Sequence, residues 1–487
     1  MEASARIAKN TTYLTVASII QKIISFGYFA IVAKTLGDAQ LGKYTFALAF
    51  SSIFIIFMDF GLGPLLTREG AKDESKLDGF LQEMLSVKFV LMAASLVFMI
   101  ASIHVADAVF ERVDSTDVLL VYIGSVIIIF DTLTFSLFSI FRAVRRLFWE
   151  ALAIIIYQST ILGVGLFFLY NNFPLPYILG ALLAGSVVQF IYLYIIFRLK
   201  AHLHFRFKWS WKTTRRILAL SAPFAIAGII FRLNGSVDSI MLKIMAGDSY
   251  AGWYGLSFKL VFALTVFPGA FATSYFPAVS TYFKNAKHKL HEAFESGFVY
   301  MCILSFPIVA GVAILGDDII LTVWDEAWTA SIQALWILII AVPFIFANYP
   351  VGNFLNAVDK QKLNTVNMFI ALAVNIVLNS ILIPHYTFIG AAIAVVASSI
   401  VLVLLGIPWV YRIAPFQIGY LTKKISIIAF AASIMAFVLF FIQHTYPLLI
   451  SILIGILIYG AALYLLNGIT NNDLSSLKKA ILRKGSS

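Results

Sequence analysis

Charged residues are scarce in this sequence. Asp, Glu, Lys and Arg make up 12% of its 487 residues, whereas an ordinary soluble domain has about 25%. Hydrophobic residues make up 61%, and the mean hydropathy is +0.94. Such a chain cannot cover its surface with polar groups in water, which excludes a soluble enzyme, a secreted domain and a disordered chain. The composition predicts a protein that lies in a lipid bilayer.

Cysteine is nearly absent, and histidine occurs without a recognisable pattern. The single cysteine, Cys302, excludes an intramolecular disulfide and a cysteine metal cluster. The seven histidines show no HExxH or comparable spacing, and no GxxxxGK[ST] phosphate-binding loop is present. We therefore expect no metal, no cofactor and no step driven by ATP.

Long apolar runs occupy most of the chain, and a bilayer-crossing helix needs about 20 such residues. Fourteen runs qualify: 11–33, 44–60, 82–103, 117–141, 150–170, 176–197, 217–240, 253–278, 293–316, 330–350, 363–383, 386–410, 425–443 and 447–466. The first run begins like a signal peptide, but it is too long, contains Lys22 at its centre and lacks a small-residue cleavage site. The predicted fold is an all-α polytopic membrane protein with about 14 transmembrane helices.

Lys and Arg are distributed unevenly between the two sets of loops that these spans define. One set, which includes both termini, holds 27 of them, and the opposite set holds 4. Cytoplasmic loops are enriched in Lys and Arg. The distribution therefore predicts that both termini are cytoplasmic.

Two basic segments lie in the cytoplasmic set. In 198–216, basic residues alternate with aromatic ones, a pattern that nucleic-acid binding would explain. We prefer an interfacial segment, with its tryptophans at headgroup level and its basic groups on anionic lipids, and we expect no nucleic-acid partner. The tail 467–487 spaces apolar residues on one helical face, which predicts a short helix lying on the membrane.

The chain repeats itself at an offset of about 210 residues. LGDAQLGKY follows the first span and AGDSYAGWY follows the seventh, so both copies fit GDxxxGxY. Two weaker matches follow in the same order. Because both copies start in the cytoplasm, the repeats are parallel, as in transporters whose two lobes rock around a central cavity. The predicted domains are an N-lobe of six helices (1–197), a basic interlobe loop (198–216), a C-lobe of six helices (217–410), two extra helices (411–466) and a basic cytoplasmic tail (467–487).

With these features the sequence resembles the multidrug/oligosaccharidyl-lipid/polysaccharide exporter superfamily, and within it the Wzx-type O-antigen flippases of the polysaccharide-biosynthesis branch. The likeness rests on LGDAQLGKY, on DFGLGPLLTRE (59–69) and on the stretch 221–254, and it covers residues 8–465. It implies a flippase, not an enzyme, that moves an undecaprenyl-diphosphate-linked oligosaccharide, an O-antigen unit of lipopolysaccharide or another surface polysaccharide unit, across the bacterial inner membrane. It also implies a polysaccharide polymerase and a chain-length regulator as partners.

Other functions are compatible with parts of the pattern. Drug exporters of the same fold carry an acidic cation-binding residue in helix 1 or helix 7. Here the first span has Lys22 instead, and the seventh has Asp238 only near its outer end, so an ion-coupled drug or small-solute antiporter is the alternative. A membrane enzyme such as a polymerase or acyltransferase would need a large external loop or a deep His/Asp pair, and the sequence has neither. Flippases for peptidoglycan precursors or teichoic-type polymers are further alternatives.

Four cations lie inside the predicted spans, where a charge costs about 2.5–3.5 kcal/mol: Lys22, Lys88, Arg232 and Lys259. Because the first and seventh spans are repeat-equivalent, we expect Lys22 and Arg232 to face each other across the cavity. There they would bind a diphosphate or an acidic sugar. Lys88 and Lys259 either line the same cavity or extend to the membrane interface.

Acidic and amide side chains inside the spans complete the candidate site. Asp131, in the middle of the fourth span, either pairs with one of the cations or carries a coupling proton, and Asp238 is the second such acid. Asn367, Asn375 and Asn379 share one helical face. They either form interhelical hydrogen bonds or bind sugar hydroxyls.

Overall fold

The computed structural model describes residues 2–72, 77–200, 207 and 209–468, and within these ranges all regular structure is helical. The α-helices are α1 (Glu2–Asp59), α2 (Leu62–Lys72), α3 (Leu77–Val109), α4 (Ser115–Ala143), α5 (Leu147–Tyr170), α6 (Leu175–Lys200), α7 (Trp211–Met245), α8 (Asp248–Ala263), α9 (Val266–Asn285), α10 (Leu290–Trp324), α11 (Thr329–Leu338), α12 (Val342–Ala357), α13 (Gln361–Ile413), α14 (Ile418–Ile442) and α15 (Leu448–Leu465). The predicted membrane-surface helix of the tail and most of the basic segment before α7 lie outside the described residues.

Two of these helices contain a break and account for two membrane spans each. A straight helix of the length of α1 would extend about 87 Å, whereas the hydrocarbon core is about 30 Å thick. The backbone leaves the helical region at Gly37 in α1 (φ 75°, ψ 178°) and at Thr387 in α13 (φ 50°, ψ −129°). Twelve apolar helical segments in the described chain are long enough to cross a membrane. With both breaks counted, the predicted fourteen spans are confirmed.

The chain packs as two compact units. The first contains Met1–Gly255 and Asn379–Ala391, and the second contains Leu256–Leu378 and Ala392–Ser487. The predicted lobes, 1–197 and 217–410, follow the sequence repeat instead of this packing, and their boundaries stay a prediction.

Each unit has its own apolar core. In the first, buried side chains gather around Phe46 and Met58 and, separately, around Phe141. In the second, they gather around Phe294 and Phe354. Because lipid tails are as apolar as these side chains, close packing and not the exclusion of water holds such cores together in a membrane.

The two copies of GDxxxGxY lie in reciprocal contact inside the first unit. A Cβ built on Gly42 would lie 2.0 Å from the carbonyl oxygen of Asp248, and one built on Gly252 would lie 2.0 Å from that of Asp38. No side chain fits at either position, so the backbones can approach only through glycine. The first glycine of each copy has a positive φ, 75° and 113° respectively. The repeated motif therefore encodes one close, two-sided backbone contact.

Candidate functional site

A cavity of about 470 Å³, here called the arginine pocket, lies among α1, α2, α4 and α7 in the first unit. Its lining residues are Ile55, Ile56, Asp59, Gly63, Pro64, Thr67, Arg68, Phe135, Ser139, Arg142 and Arg232. Three arginines and one aspartate are the charged members. Of the predicted cavity cations, Arg232 lines this pocket.

The turn between α1 and α2 directs the chain along the pocket wall. Phe60 and Gly61 both have positive φ, 44° and 71°. A Cβ on Gly61 would lie 2.7 Å from the carbonyl oxygen of Ser221 in α7, so the turn packs directly against that helix. Glycine is required here both for its conformation and for the close approach.

Hydrogen bonds then fix α2, and with it Arg68, in place. The backbone N–H of Gly63 donates to Asp59 Oδ2 at 3.2 Å, which satisfies one of the unpaired amides at the start of α2. One turn later, Thr67 Oγ1 donates to the carbonyl of Ser139 in α4 at 3.3 Å. Arg68, the next residue, is thereby held at the pocket wall.

Lys88 neutralises the only acidic residue that lines the described pocket. Its Nζ lies 2.8 Å from Asp59 Oδ1 and 2.6 Å from Ser136 Oγ, and the side chain is only 2% exposed. The structure thus places Lys88 behind the pocket wall, in a buried ion pair, and not among the lining residues where a cavity cation was expected. Since Asp59 is already paired, it does not offset the charge of the three arginines.

Arg68 and Arg142 sit at the accessible edge of the pocket. Arg68 Nε donates to Glu69 at 2.9 Å, and Arg142 donates through Nε and Nη2 to the buried carboxylate of Glu150. Their side chains nevertheless remain 45% and 50% exposed. Both residues fall outside the predicted spans, although Arg68 belongs to the segment DFGLGPLLTRE.

Arg232 lies in the middle of α7 and is half-buried. Within the described chain, no carboxylate lies within 4.0 Å of its guanidinium, but it interacts electrostatically with Asp131 of α4. Asp131 in turn accepts a 2.6 Å hydrogen bond from Ser186 Oγ. Arg232 is therefore partly balanced over a distance, and its donors line the pocket. Whether Asp131 only pairs or carries a proton stays a prediction.

Two other predicted cations do not line this pocket. Lys22 is exposed on α1, and its predicted position opposite Arg232 stays a prediction. Lys259 belongs to α8 in the second unit.

The predicted amide face is buried and divided between the units. Asn379 Nδ2 donates to Asp238 Oδ1 at 2.7 Å, and the two residues are 0% and 2% exposed. Asn367 and Asn375 are buried in the second unit. For Asp238 and Asn379 the structure thus shows the interhelical hydrogen bond, and sugar binding by the three asparagines stays a prediction.

A second charged region, here called the paired-charge cluster, surrounds the reciprocal glycine contact. It consists of Lys43, Asp114, Asp117, Lys243 and Asp248. Lys243 Nζ lies 2.9 Å from Asp117 Oδ2 and also donates to Asp248, and both Lys243 and Asp117 are fully buried. Lys43 pairs with Asp114 and lies 3.8 Å from Asp248 Oδ2. Every charge in this cluster has an opposite charge beside it.

Comparison with known proteins agrees with this architecture. The model of the family described as polysaccharide biosynthesis protein matches residues 7–283, and the MatE family model matches 223–381. A probable low-salt glycan biosynthesis flippase, Agl15 of Haloferax volcanii, is 24% identical over 483 residues, 98% of this chain and 99% of the relative. The capsular polysaccharide biosynthesis protein CapF of Staphylococcus aureus is 21% identical over 412 residues, 81% and 97% of the two chains.

A solved structure shares the fold. The lipid II flippase MurJ, in an inward closed conformation, superimposes with a TM-score of 0.78 over 92% of this chain and 97% of that one, at 20% identity.

Proposed function

Because the chain belongs to the polysaccharide biosynthesis protein family of the multidrug/oligosaccharidyl-lipid/polysaccharide exporter superfamily, we propose that it is a flippase for a lipid-linked glycan. The observation that carries this proposal is that three guanidinium groups line one pocket, while the carboxylates that contact or face them, those of Glu69, Glu150 and Asp131, do not line it. The names of the relatives support it, since Agl15 is called a glycan biosynthesis flippase and CapF a capsular polysaccharide biosynthesis protein. Glycan transport, not catalysis, is the activity assigned.

The chemistry of the pocket suits a diphosphate. Arginine presents a planar set of donors that matches phosphate oxygens two at a time, and such charge-assisted bonds are stronger than neutral ones. Glu150 occupies Nε and Nη2 of Arg142, so Nη1 is the nitrogen available to a ligand in the part of the chain that the structure describes. A cavity of about 470 Å³ also falls in the size range of small-ligand sites, about 300–1,000 Å³.

The charge distribution suggests the direction of entry. If both termini are cytoplasmic, the C-terminal ends of α1 and α4 lie near the cytoplasmic face, and Arg68 and Arg142 meet the headgroup first. Arg232, farther along the membrane span, then receives it. We assign the substrate as an undecaprenyl-diphosphate-linked oligosaccharide that enters from the cytoplasmic leaflet of a bacterial inner membrane.

The driving force in this proposal is the membrane potential or an ion gradient. An inside-negative potential favours outward movement of an anion by about 2.3 kcal/mol per charge per 100 mV. Asp131, close to Arg232, is the acid in the pocket region that would carry a coupling proton. An Asp131→Asn protein that still responds fully to a pH gradient in proteoliposomes would eliminate that role.

Substitution of the pocket arginines tests the function. In the native host, Arg232→Gln should lower surface polysaccharide at least about tenfold at unchanged protein abundance, because losing one partner of a desolvated charge pair costs about 2–5 kcal/mol. Arg142→Gln is a less specific test, because it also leaves the buried carboxylate of Glu150 without its cation and should lower stability. Arg146→Gln, at an exposed position just before α5 and outside the lining, is the matched control.

The decisive experiment tests these variants with ligands of two classes, a lipid diphosphate and an organic cation. Purified protein that binds undecaprenyl diphosphate, with binding lost in Arg232→Gln and kept in Arg146→Gln, would support the flippase. Transport of a fluorescent organic cation by both variants, without diphosphate binding, would favour the antiporter instead.

A further inference from the structure

We infer that the first two turns of α7 form a binding site for the phosphate group of an anionic phospholipid, separate from the arginine pocket. A cavity of about 510 Å³ lies there and is lined by Trp211, Lys212, Arg215, Arg216 and Ala219. None of these residues lines the arginine pocket. The inference therefore does not depend on the identity of the transported substrate.

The lining residues form a continuous stripe on one side of the helix. Trp211, Arg215 and Ala219 are spaced four apart, as are Lys212 and Arg216, so the two rows lie side by side along the helix surface. The stripe thus brings three cations to one cavity, beside a tryptophan and a small residue that leaves room.

The cations of this stripe have no paired carboxylate among the residues that the structure describes. In the described start of α7, the first turn contains no acidic residue, and no carboxylate lies within 4.0 Å of Lys212, Arg215 or Arg216. By contrast, Arg68 and Arg142 each contact a glutamate. Three exposed cations at one cavity, with no paired carboxylate in the described chain, attract an anion.

The backbone at the start of α7 adds to this attraction. Ser210 precedes the helix in an extended conformation, and its side chain makes no capping hydrogen bond. The first N–H groups of a helix lack partners within the helix and carry the positive end of its dipole. They therefore add donors to those of the three basic side chains.

The aromatic residues identify the anion as a lipid headgroup and not as free phosphate. Trp211 is 71% exposed, and Phe207 and Trp209 just before it are also exposed. Exposed tryptophans next to a membrane span are typical of the headgroup level, where one side of the ring meets acyl chains. Basic side chains at that level bind anionic lipids. A free phosphate would use the cations alone.

A lipid bound here would hold the start of α7 at the membrane surface. Arg232 lies on the same helix about four turns farther on, and Gly61 packs against Ser221 between the two positions. Anionic lipid is therefore expected to stabilise the full-length protein as well as to bind it.

The test compares two variants that lose the same charge. One is Lys212→Gln/Arg215→Gln/Arg216→Gln. The control is Lys360→Gln/Lys362→Gln/Lys423→Gln, which removes three exposed cations near the starts of α13 and α14. Full-length proteins in detergent are titrated with phosphatidylglycerol or phosphatidylcholine, and bound lipid is counted by native mass spectrometry.

We expect phosphatidylglycerol binding to weaken by at least about tenfold in the first variant and to stay unchanged in the control, because only in the first do the three removed cations line one cavity. Equal loss in both variants, or no loss in the first, would overturn the site. A thermal melt of each variant with phosphatidylglycerol shows whether the lipid still raises its stability, which separates lost binding from misfolding.

Two further measurements establish the lipid as the source of the phosphate. Brominated phosphatidylglycerol in phosphatidylcholine vesicles should quench tryptophan fluorescence more in the wild type than in Trp211→Phe. Millimolar inorganic phosphate should leave phosphatidylglycerol binding intact. Complete competition by inorganic phosphate, or identical quenching in Trp211→Phe, would contradict the assignment.

Discussion

The arginine pocket and the paired-charge cluster are both rich in charge, but they differ in where the balancing carboxylates lie. In the cluster, two lysines and three aspartates contact one another, and Lys243 and Asp117 are completely buried. In the pocket, three arginines share the lining with Asp59 alone, and that carboxylate already belongs to Lys88. The cluster pairs its charges directly, whereas the carboxylates that balance the pocket arginines lie outside the lining, so the lining itself presents guanidinium groups.

This difference assigns the two regions different roles. A buried charge without a partner is costly, so charges that pair inside the protein hold its elements in one arrangement. Guanidinium groups that line a cavity and remain accessible can donate to a ligand of the opposite charge. The cluster, which surrounds the reciprocal contact of Gly42 and Gly252, therefore stabilises the fold. The pocket, in contrast, binds a ligand.

The largest effect on stability is expected from breaking the cluster at its buried centre. Lys243→Met removes the cation that contacts the buried carboxylate of Asp117. This loss should lower the free energy of unfolding by about 3–5 kcal/mol. Lys243→Met/Asp117→Asn should recover much of that loss, because neither position then carries a buried charge. Thermal unfolding in detergent measures both. A single variant as stable as the double one would contradict the role given to the pair.

The ion pair behind the pocket wall should respond in the same way, although less strongly. Lys88→Met should cost about 3 kcal/mol, the lower end of the range, because the N–H of Gly63 still donates to Asp59. Lys88→Met/Asp59→Asn should be close to the wild type in stability and should still transport glycan. Loss of transport in this stable double variant would show instead that the ion pair takes part in substrate binding, which includes one of the two roles that the sequence left open for Lys88.

The reciprocal glycine contact should tolerate no side chain. Gly42→Ala or Gly252→Ala should destabilise the protein by about 1–3 kcal/mol, as overpacking does elsewhere, because the new Cβ would meet a carbonyl oxygen. Gly235→Ala is the matched control, since a Cβ on that glycine of α7 has no neighbour within 4 Å. Equal melting temperatures for Gly252→Ala and Gly235→Ala would mean that the contact does not form.

The sequence predicted those features that follow from local composition. The fourteen spans and the repeated GDxxxGxY are readable because apolar length and motif spacing are properties of consecutive residues. Even Gly37 could be placed at a boundary between spans, although only the structure shows its positive φ. Arg232 could be singled out, since a cation in an apolar run is unusual wherever the helix packs.

The pairing of charges could not be predicted in this way. Lys88 and Asp59 are 29 residues apart on different helices, and Asn379 and Asp238 are 141 apart. No periodicity links such positions, because the contacts depend on how helices pack. For the same reason Arg68 and Arg142 were counted with the loops, although the packing of α2 and α4 brings them to the pocket of Arg232.

The smallest effect on stability is expected at the exposed edge of the paired-charge cluster, where Lys43 pairs with Asp114. The two side chains are 16% and 51% exposed, and pairs of this kind contribute about 0.2–1 kcal/mol. Asp114→Asn removes the charge but preserves a residue that can cap α4. It should therefore lower stability at pH 7 only slightly.

The pH dependence of the stability difference between the wild type and Asp114→Asn shows whether the Lys43–Asp114 ion pair causes it. Burial acts to raise the pKa of the Asp114 carboxyl, but the hydrogen bond from Lys43 and that from the backbone of Asp117 outweigh burial and hold the pKa below its ordinary value. A carboxyl whose pKa is lower in the folded state stabilises the protein above its unfolded pKa of about 3.9. That stabilisation is lost as the pH falls through the folded pKa. The melting temperatures of the wild type and Asp114→Asn should thus differ by a constant amount at neutral pH and converge once the pH falls below the folded pKa of Asp114. A difference that persists in acid would come from the lost cap, not from the charge pair.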